Sequence, residues 1–262
     1  MIFNFDLISD IHRETWNHFD WAGQPTAPYC IVAGDIARDR ALVIDTLEQL
    51  SEVYQGVFYI DGNDEHKDYA EDLNRSYAEL TALVSGIPKV VYLQDNVVIV
   101  NGVAILATNG WWSYDFDPQI DVDQSIAWVR HKDNISESAA IAYNGIGYND
   151  AAYIINSVKK LQIENDVKAI VMVSHTVPNP RIIQHDLELM DTYRFNSMGN
   201  SHLALALEND TEHKIKTWCF GHYHRPVDTI INGVRYVSNP RGRGDTNYSQ
   251  IAYYPKRISI EV

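Results

Sequence analysis

Seven side chains spread along the sequence are of types that bind divalent cations, namely carboxylate, imidazole and amide. They are Asp10, His12, Asp35, Asn63, His175, His222 and His224. Because a carboxylate has two oxygens, Asp35 can bridge two cations about 3.5–4 Å apart. This ligand set accommodates Mn²⁺, Fe²⁺, Zn²⁺ or Co²⁺. The residue types therefore predict two divalent metal ions, whose identity stays open.

Each of these side chains closely follows a stretch predicted to be a strand. The five strands are Ile2–Ile8, Tyr29–Ala33, Val57–Ile60, Ala169–Val173 and Ile215–Phe220. In layered α/β folds, ligands bind just beyond the carboxyl ends of strands, where loops converge. Glycines before Asp35, Asn63 and His222 are expected to let the backbone turn sharply and aim each ligand inward. One such segment alone is weak evidence, but five in order are hard to explain by accident.

Alternating strands and helices occupy the first part of the chain, and strands without helices dominate the last part. Periodicity predicts helices over Asp39–Tyr54 and Tyr69–Val84. The other predicted strands are Val90–Leu93, Val97–Val100, Val103–Ala107, Val227–Ile231, Arg235–Val237, Ile251–Tyr254 and Ile258–Val262. Alternation indicates an α/β fold, and the late strands predict a second sheet. We therefore expect a sandwich of two sheets flanked by helices.

The 262 residues are expected to form a single domain spanning 1–262. The stretch over about 109–166 differs from the rest because it is rich in aromatic and acidic residues, with a helix predicted over about 136–166. No linker composition separates it from its surroundings, so an insertion in the domain is the better interpretation.

The order of the candidate ligands resembles that of the calcineurin-like metallophosphoesterase superfamily, whose pattern is D-x-H, G-D, G-N-H-[DE], H and G-H-x-H. The resemblance runs from Asp10 to about Gly242. It implies a four-layer fold, a β-sandwich of two mixed sheets flanked by helices. It also implies that Asp10, His12, Asp35 and His224 hold one metal, and that Asp35, Asn63, His175 and His222 hold the other. The implied activity is hydrolysis of phosphate esters by a metal-bridging hydroxide.

One position departs from that pattern, because Asp64 stands where the superfamily usually has the histidine of G-N-H-E. That histidine commonly donates a proton to the leaving group and contacts phosphate. Asp64 therefore favours phosphodiesters with good leaving groups over monoesters. His66, two residues on, is either a substitute donor or an ordinary surface histidine. The alternatives are a phosphomonoesterase or protein phosphatase, and a non-catalytic scaffold, which the retained metal histidines disfavour.

Two further groups are candidates for contacting substrate. Arg241 and Arg243 follow the last predicted ligands, and a guanidinium suits a phosphate oxygen pair, although both could be surface arginines. The aromatic residues Trp111, Trp112 and Tyr114 could stack on a planar group such as a nucleobase, but core packing is the favoured role.

The amino-acid composition limits the kinds of partner that the protein is expected to bind. Lys and Arg total 21 against 35 Asp and Glu, a net charge of −14, which argues against binding a nucleic-acid polymer through its phosphates. A small phosphate ester, a nucleotide among the candidates, is the expected partner. No apolar stretch approaches the roughly 18 residues of a membrane span. Only two cysteines and the absence of a basic leader lead us to expect a cytoplasmic protein.

Overall fold

The strands are mostly continuous apolar runs, as is typical of strands buried on both faces. The computed structural model describes residues 2–16, 24–244 and 252–262. In chain order, the strands within those residues are β1 Ile2–Ile8, β2 Tyr29–Ala33, β3 Gly56–Ile60, β4 Val90–Tyr92, β5 Asn96–Val100, β6 Val103–Thr108, β7 Ala169–Ser174, β8 Ile215–Phe220, β9 Val227–Ile231, β10 Val234–Ser238 and β11 Lys256–Glu261.

These strands form two mixed sheets. The first has the order β11–β1–β2–β3–β4, and the second has the order β5–β6–β7–β8–β10–β9. Strands β1, β2, β3 and β4 are parallel to one another, while β11 pairs with β1 in the antiparallel direction. In the second sheet β6, β7, β8 and β10 are parallel, and β5 and β9 are antiparallel edge strands. The strands that the candidate ligands follow are therefore parallel to one another within each sheet, namely β1, β2 and β3 in the first and β7 and β8 in the second.

Helices cover the outer faces of the sheets. They are α1 Arg40–Val53, α2 Leu73–Val84, α3 Val122–Asp133, α4 Glu137–Ile163 and α5 Thr192–Phe195, with short 3₁₀ helices at Arg13–Thr15, Asp64–Tyr69, Pro180–Ile182, Gln184–Leu189 and Ser201–Asn209. Helix α1 begins after Asp39, whose side chain accepts a hydrogen bond from the N–H of Ala41 at 2.8 Å, a typical N-cap.

Three apolar layers hold the elements together. Between the sheets, Phe5 and Ile31 of the first pack with Ile105 and Val171 of the second. The opposite face of the first sheet packs on α1 and α2, and the opposite face of the second packs on α4 and the 3₁₀ helix at Ser201–Asn209. The result is a helix–sheet–sheet–helix sandwich, so the predicted α/β fold class is confirmed.

Two predicted elements differ from the structure. Ile251 of the predicted strand Ile251–Tyr254 lies outside the described residues, and residues 252–254 are not in a strand. Pro255 follows them and has no N–H to donate to a ladder, so β11 begins only at Lys256. Helix α2 begins at Leu73 rather than at Tyr69, because the carboxylate of Asp72 caps it by accepting a hydrogen bond from the N–H of Arg75 at 3.1 Å.

The stretch between β6 and β7 contains α3 and α4, and α4 confirms the helix predicted over about 136–166. Its first turn is capped by Ser136, whose hydroxyl accepts a hydrogen bond from the N–H of Ala139. In the part of the chain that the structure describes, no helix is both long and apolar enough to cross a membrane.

Candidate metal centre

The loops after β1, β2, β3, β7 and β8 converge beyond the carboxyl ends of these strands. They bring together all seven candidate ligands from the two sheets. A first group consists of Asp10, His12, Asp35 and His224, each of which offers one ligand atom within 4.8 Å of the others. The Nε2 atoms of His12 and His224 are 2.9 Å apart. Nε2 of His224 is 3.5 Å from Oδ1 of Asp10, so the four side chains point at a common position.

A second group consists of Asp35, His175 and His222, with the same close spacing. Nε2 of His175 lies 3.4 Å from Oδ1 of Asp35 and 3.2 Å from Oδ1 of Asn63. In the first group it is the other oxygen of Asp35, Oδ2, that lies 3.7 Å from Nε2 of His12. Asp35 is therefore shared, with one carboxylate oxygen facing each group.

The backbone at the centre is unusual, because five candidate ligands have positive φ. The values are 49° at Asp10, 45° at His12, 53° at Asp35, 65° at His222 and 58° at His224. A left-handed conformation costs a non-glycine residue about 1–2 kcal/mol. Hydrogen bonds between the loops hold it, including those from the N–H of Asp10 to Gly34 O and from the N–H of His222 to Oδ1 of Asp10. Strained residues of this kind cluster at functional sites.

The glycines of these loops serve two purposes. Gly34 has a φ of 83° and makes the sharp turn that the sequence predicts. Gly62 and Gly221 have no positive φ, so the predicted reason is wrong for them, and close approach replaces it. A Cβ on Gly62 would lie 2.1 Å from Oδ1 of Asp35, and one on Gly221 would lie 2.7 Å from Oδ2 of Asp10.

Two further contacts fix the orientation of the candidate ligands. The buried carboxylate of Glu65 accepts hydrogen bonds from the N–H groups of Asp35 at 3.2 Å, Ile36 at 2.7 Å and Gly62 at 2.8 Å. It thereby joins the loops after β2 and β3. Nδ1 of His175 lies 2.9 Å from the carbonyl oxygen of Ala33, which fixes the ring with Nε2 toward Asp35. Burial acts to lower the pKa of His175, but the charge of Asp35 raises it to about 10, so a metal at Nε2 would replace a proton there.

The residues present fit divalent cations. Oδ2 of Asp10 is buried and, among the described residues, has no hydrogen-bond partner. Burial, with the neighbouring charge of Asp35, raises the pKa of Asp10 to about 6 despite the opposing charge of His175. Burial also lowers the pKa of His222, and lowers that of His224 to about 3, so both imidazoles are neutral. An unsatisfied carboxylate oxygen beside neutral imidazoles is suited to binding a cation.

Asp64 forms part of the wall beside the first group. It is only 2% exposed, and its Oδ2 lies 3.1 Å from Nδ1 of His12 and 3.2 Å from a guanidinium nitrogen of Arg243. Lys67 forms an ion pair with its other oxygen. Burial and the charge of Asp35 act to raise the pKa of Asp64, but the hydrogen bond with His12 and the charge of Lys67 lower it to about 2. Asp64 is therefore an ionised carboxylate.

His66 is neither at the surface nor in the cavity wall. It is 1% exposed, with Nε2 at 2.7 Å from Oδ2 of Asp61 and Nδ1 at 2.7 Å from the hydroxyl oxygen of Ser76. The expectation of a surface histidine is wrong, because the 3₁₀ helix at Asp64–Tyr69 turns this ring toward α2. Its two nitrogens are engaged inside the protein, away from the candidate ligands.

A cavity of about 250 Å³ opens onto the centre. Its lining consists of His12, Asp35, Asn63, Asp64, Lys67, Trp112, Val129, Lys132, Asp133, Arg194, Ser197, Met198, His222, His224 and Arg243. Arg241 is not in this lining, and its guanidinium carbon lies 4.1 Å from the centre of the Trp16 ring. Of the two arginines singled out in the sequence, Arg243 is the one that faces the centre.

Three cationic lining residues had no signal in the sequence. Lys67 follows Glu65 closely, but Lys132 belongs to α3 and Arg194 to α5. Nothing in their spacing relates Lys132 and Arg194 to the strand-end motifs, because α3 lies between β6 and β7 and α5 between β7 and β8, and only the packing of these helices beside the centre brings the two cations there.

The aromatic cluster packs mainly in the interior. Trp111 and Tyr114 are buried together with Tyr143, which confirms the favoured packing role for these two. Trp112 is also buried but lines the cavity, and its ring stacks on that of His222 with centroids 5.6 Å apart and planes inclined by 26°. It therefore forms an apolar wall beside a candidate ligand.

No protein-family model and no curated protein sequence matches this chain. The crystal structure of phosphopantetheinyl hydrolase (PptH) from Mycobacterium tuberculosis is similar, with a TM-score of 0.73 and 18% sequence identity over 97% of this chain and 95% of that chain. This similarity shows the fold, a metallophosphoesterase-like sandwich.

Two more distant structures share less of the architecture. A candidate 5'-nucleotidase from Staphylococcus aureus in complex with alpha-ketoglutarate has a TM-score of 0.46 and 13% identity, over 100% of this chain and 51% of that chain. GAP50, the anchor in the inner membrane complex of Plasmodium, has a TM-score of 0.46 and 12% identity, over 95% of this chain and 75% of that chain.

Proposed function

We propose that this protein is a metal-dependent phosphoesterase of the calcineurin-like metallophosphoesterase superfamily. The observation that carries the proposal is the position of Asp35 between two groups of candidate ligands, with one oxygen facing each. Asp10, His12 and His224 would hold one cation with Asp35, and Asn63, His175 and His222 would hold a second. We further propose a single domain in which the stretch over about 109–166 caps the centre, because it supplies Trp112, Val129 and Lys132 to the cavity.

Bound divalent cations would supply Lewis-acid chemistry, lowering the pKa of water and offsetting charge on a phosphate. The chain's own residues would orient the ester. Arg243 and Lys67 face the cavity beside Asp64 and present N–H donors to phosphate oxygens. Trp112 and Met198 give the cavity an apolar side suited to the organic part of a small phosphate ester such as a nucleotide.

We favour phosphodiesters as substrates because of the proton that a leaving alkoxide needs. Asp64 is held as a carboxylate by Lys67 and His12 and has no proton to give. His66 is enclosed between Asp61 and Ser76 and does not line the cavity. A diester with a leaving group of low pKa needs no such donor.

One observation favours the alternative, a phosphomonoesterase. The negative charge of Asp64 is offset by Lys67 and Arg243, which reduces its repulsion of a dianionic monoester. The choice between the two substrate classes therefore depends on the donor rather than on the charge of Asp64.

The test is to measure metal content and turnover on the same preparation. Protein loaded in turn with Mn²⁺, Fe²⁺, Zn²⁺ or Co²⁺ is assayed with bis(p-nitrophenyl) phosphate and p-nitrophenyl phosphate. We expect about two metal ions per chain and a higher kcat/KM for the diester. A monoester preference would favour the phosphomonoesterase, and neither metal nor turnover would favour a non-catalytic scaffold.

The variant Asp64→His tests the diester argument directly. A histidine at this position could donate a proton, so turnover of the monoester should rise relative to the diester by at least about tenfold. Asp64→Asn is the matched control, because it removes the charge without adding a donor. If both variants change the ratio equally, the charge of Asp64 and not the missing donor sets the preference.

A further inference from the structure

Lys132 and Arg194 are two cations at the candidate centre that pair with no carboxylate among the described residues. Within residues 2–16, 24–244 and 252–262, neither side chain forms an ion pair. The other cations of the site differ in this respect, since Lys67 and Arg243 pair with Asp64. Both residues are exposed, so in a chain with a net charge of −14 they present two positive charges to the cavity that they line.

Their placement is fixed by the packing of α5 against α3. The hydroxyl of Tyr193 on α5 donates to the side chain of Gln124 on α3, and the side-chain amide of Asn196 donates to the hydroxyl of Ser125 at 3.2 Å. These contacts join α5 to the first turn of α3, and Lys132 lies in the last turn of the same helix, so both cations are carried on helices that pack against each other.

Both cations line the same cavity as His12, His222 and His224. Lys132 also lines an adjoining cavity of about 240 Å³, which shares Asn63, Lys67, Trp112 and Asp133 with the first. The second cavity has aromatic walls from Trp111 and Tyr143. A ligand at the centre therefore has room to extend past Lys132.

Two other positive charges, those of Arg194 and Lys67, lie close enough to Lys132 to affect its pKa. Lys132 is exposed at its surface, but neighbouring side chains remove part of its hydration, which lowers its pKa. The charge of Asp133 opposes this effect, and the charges of Arg194 and Lys67 lower the pKa further. Lys132 also lies over the ring of Trp128, with Nζ at 4.9 Å from its centre, which provides only weak compensation at an exposed site. An anion between Lys132 and Arg194 would remove this mutual repulsion.

We propose that Lys132 and Arg194 bind a second anionic group of the substrate, separate from the phosphate that is hydrolysed. This inference rests on the proposed function and specifies the substrate class, namely phosphate esters that carry a further phosphate or carboxylate several bonds from the scissile one. The guanidinium of Arg194 and the ammonium of Lys132 are both donors that form charge-assisted hydrogen bonds with such a group. The two residues would set specificity rather than take part in the chemistry.

The test compares thymidine 3',5'-bisphosphate with thymidine 5'-phosphate, which differ by one phosphate, in binding to the metal-loaded protein by calorimetry. We expect the bisphosphate to bind about 10- to 100-fold more tightly, as one well-placed charge-assisted contact provides. The double variant Lys132→Gln/Arg194→Gln should lose most of this difference. The matched control Arg130→Gln/Lys160→Gln removes the same charge from α3 and α4, away from both cavities, and should keep it.

The outcomes are distinct from those for the proposed function. Equal affinity of wild-type protein for the two ligands, or a preference that survives in Lys132→Gln/Arg194→Gln, would overturn the inference. Turnover of bis(p-nitrophenyl) phosphate by wild-type protein is measured in parallel. A preference for the bisphosphate without turnover would support the anion site and contradict the phosphoesterase, whereas turnover without the preference would overturn the anion site alone.

Discussion

Asp35 is the residue on which both groups of candidate ligands depend. Its variant Asp35→Asn replaces one carboxylate oxygen by an amide nitrogen, which cannot bind a cation. We expect loss of metal at both positions, measured by elemental analysis, and loss of at least about 1000-fold in kcat/KM, because the substitution affects both cations. Asp39→Asn is the control, since asparagine also caps a helix and Asp39 lies outside the cavity. Full metal content in Asp35→Asn would contradict the shared-ligand assignment.

The two arginines after β10 should differ in their effect on substrate binding. Arg243 lines the cavity and lies 3.2 Å from Asp64, while Arg241 lies over the ring of Trp16. We expect Arg243→Ala to lower kcat/KM by about 10–100-fold, the loss of one charge-assisted contact. Arg241→Ala should have a smaller effect. A larger loss in Arg241→Ala would restore the role that the sequence predicts for it.

At the scale of single residues, the sequence predicted the candidate ligands and Arg243 but missed Lys67, Lys132 and Arg194. Asp10, His12 and Asp35 could be recognised because each lies within a few residues of a strand end, a local relation that the sequence records. The pairing of Asp64 with Arg243 joins residues far apart in the chain, and no local pattern marks it. The prediction of a surface position for His66 was wrong for the same reason, because the burial of His66 depends on the packing of α2 over it.

At the scale of elements, the glycines of α4 provide a matched pair. A Cβ on Gly145 would meet nothing within 4 Å, whereas one on Gly147 would lie 2.2 Å from the carbonyl oxygen of Trp111. We expect Gly145→Ala to raise the free energy of unfolding by about 0.5–1 kcal/mol, as alanine does inside a helix.

Gly147→Ala should lower the free energy of unfolding by about 1–3 kcal/mol, because overpacking forces the backbone apart. It should also weaken substrate binding, since Trp112 follows Trp111 and lines the cavity. Denaturant unfolding of both variants checks the pair. Equal effects of the two substitutions would show that α4 does not press on the loop at Trp111.

The boundaries of elements were predictable where a capping residue or a proline marks them. Asp39 and Ser136 precede α1 and α4 and act as N-caps, and both helices lie close to their predicted positions. The helix predicted from Tyr69 failed at its start because Tyr69 ends the 3₁₀ helix Asp64–Tyr69 and the side chain of Asp72 caps α2, which begins at Leu73.

At the scale of the whole molecule, the candidate ligands come from both sheets, so a bound cation would join the sheets together. Binding to the folded state alone stabilises it by about 1.4 kcal/mol for each tenfold rise in free metal above Kd. For a chain of this size each bound cation should raise the midpoint of thermal unfolding by about 3–5 °C per tenfold increase in Mn²⁺, so two cations should raise it by about 6–10 °C. Asp35→Asn should show no such dependence. A midpoint independent of metal in the wild-type protein would contradict binding to the folded state.

The left-handed backbone at the ligand positions has a consequence for how this chain could change under selection. A protein selected only to be stable would replace His12, His222 and His224 by asparagine or glycine, which adopt positive φ at less cost. We expect His224→Asn to leave the metal-free protein as stable as the wild type or up to about 1 kcal/mol more stable, while it weakens metal binding. His213 also has positive φ, at 52°, away from the cavity. His213→Asn should give the same gain without loss of metal, and if His224→Asn instead destabilises the metal-free protein, the histidines are held there by folding and not by the reaction.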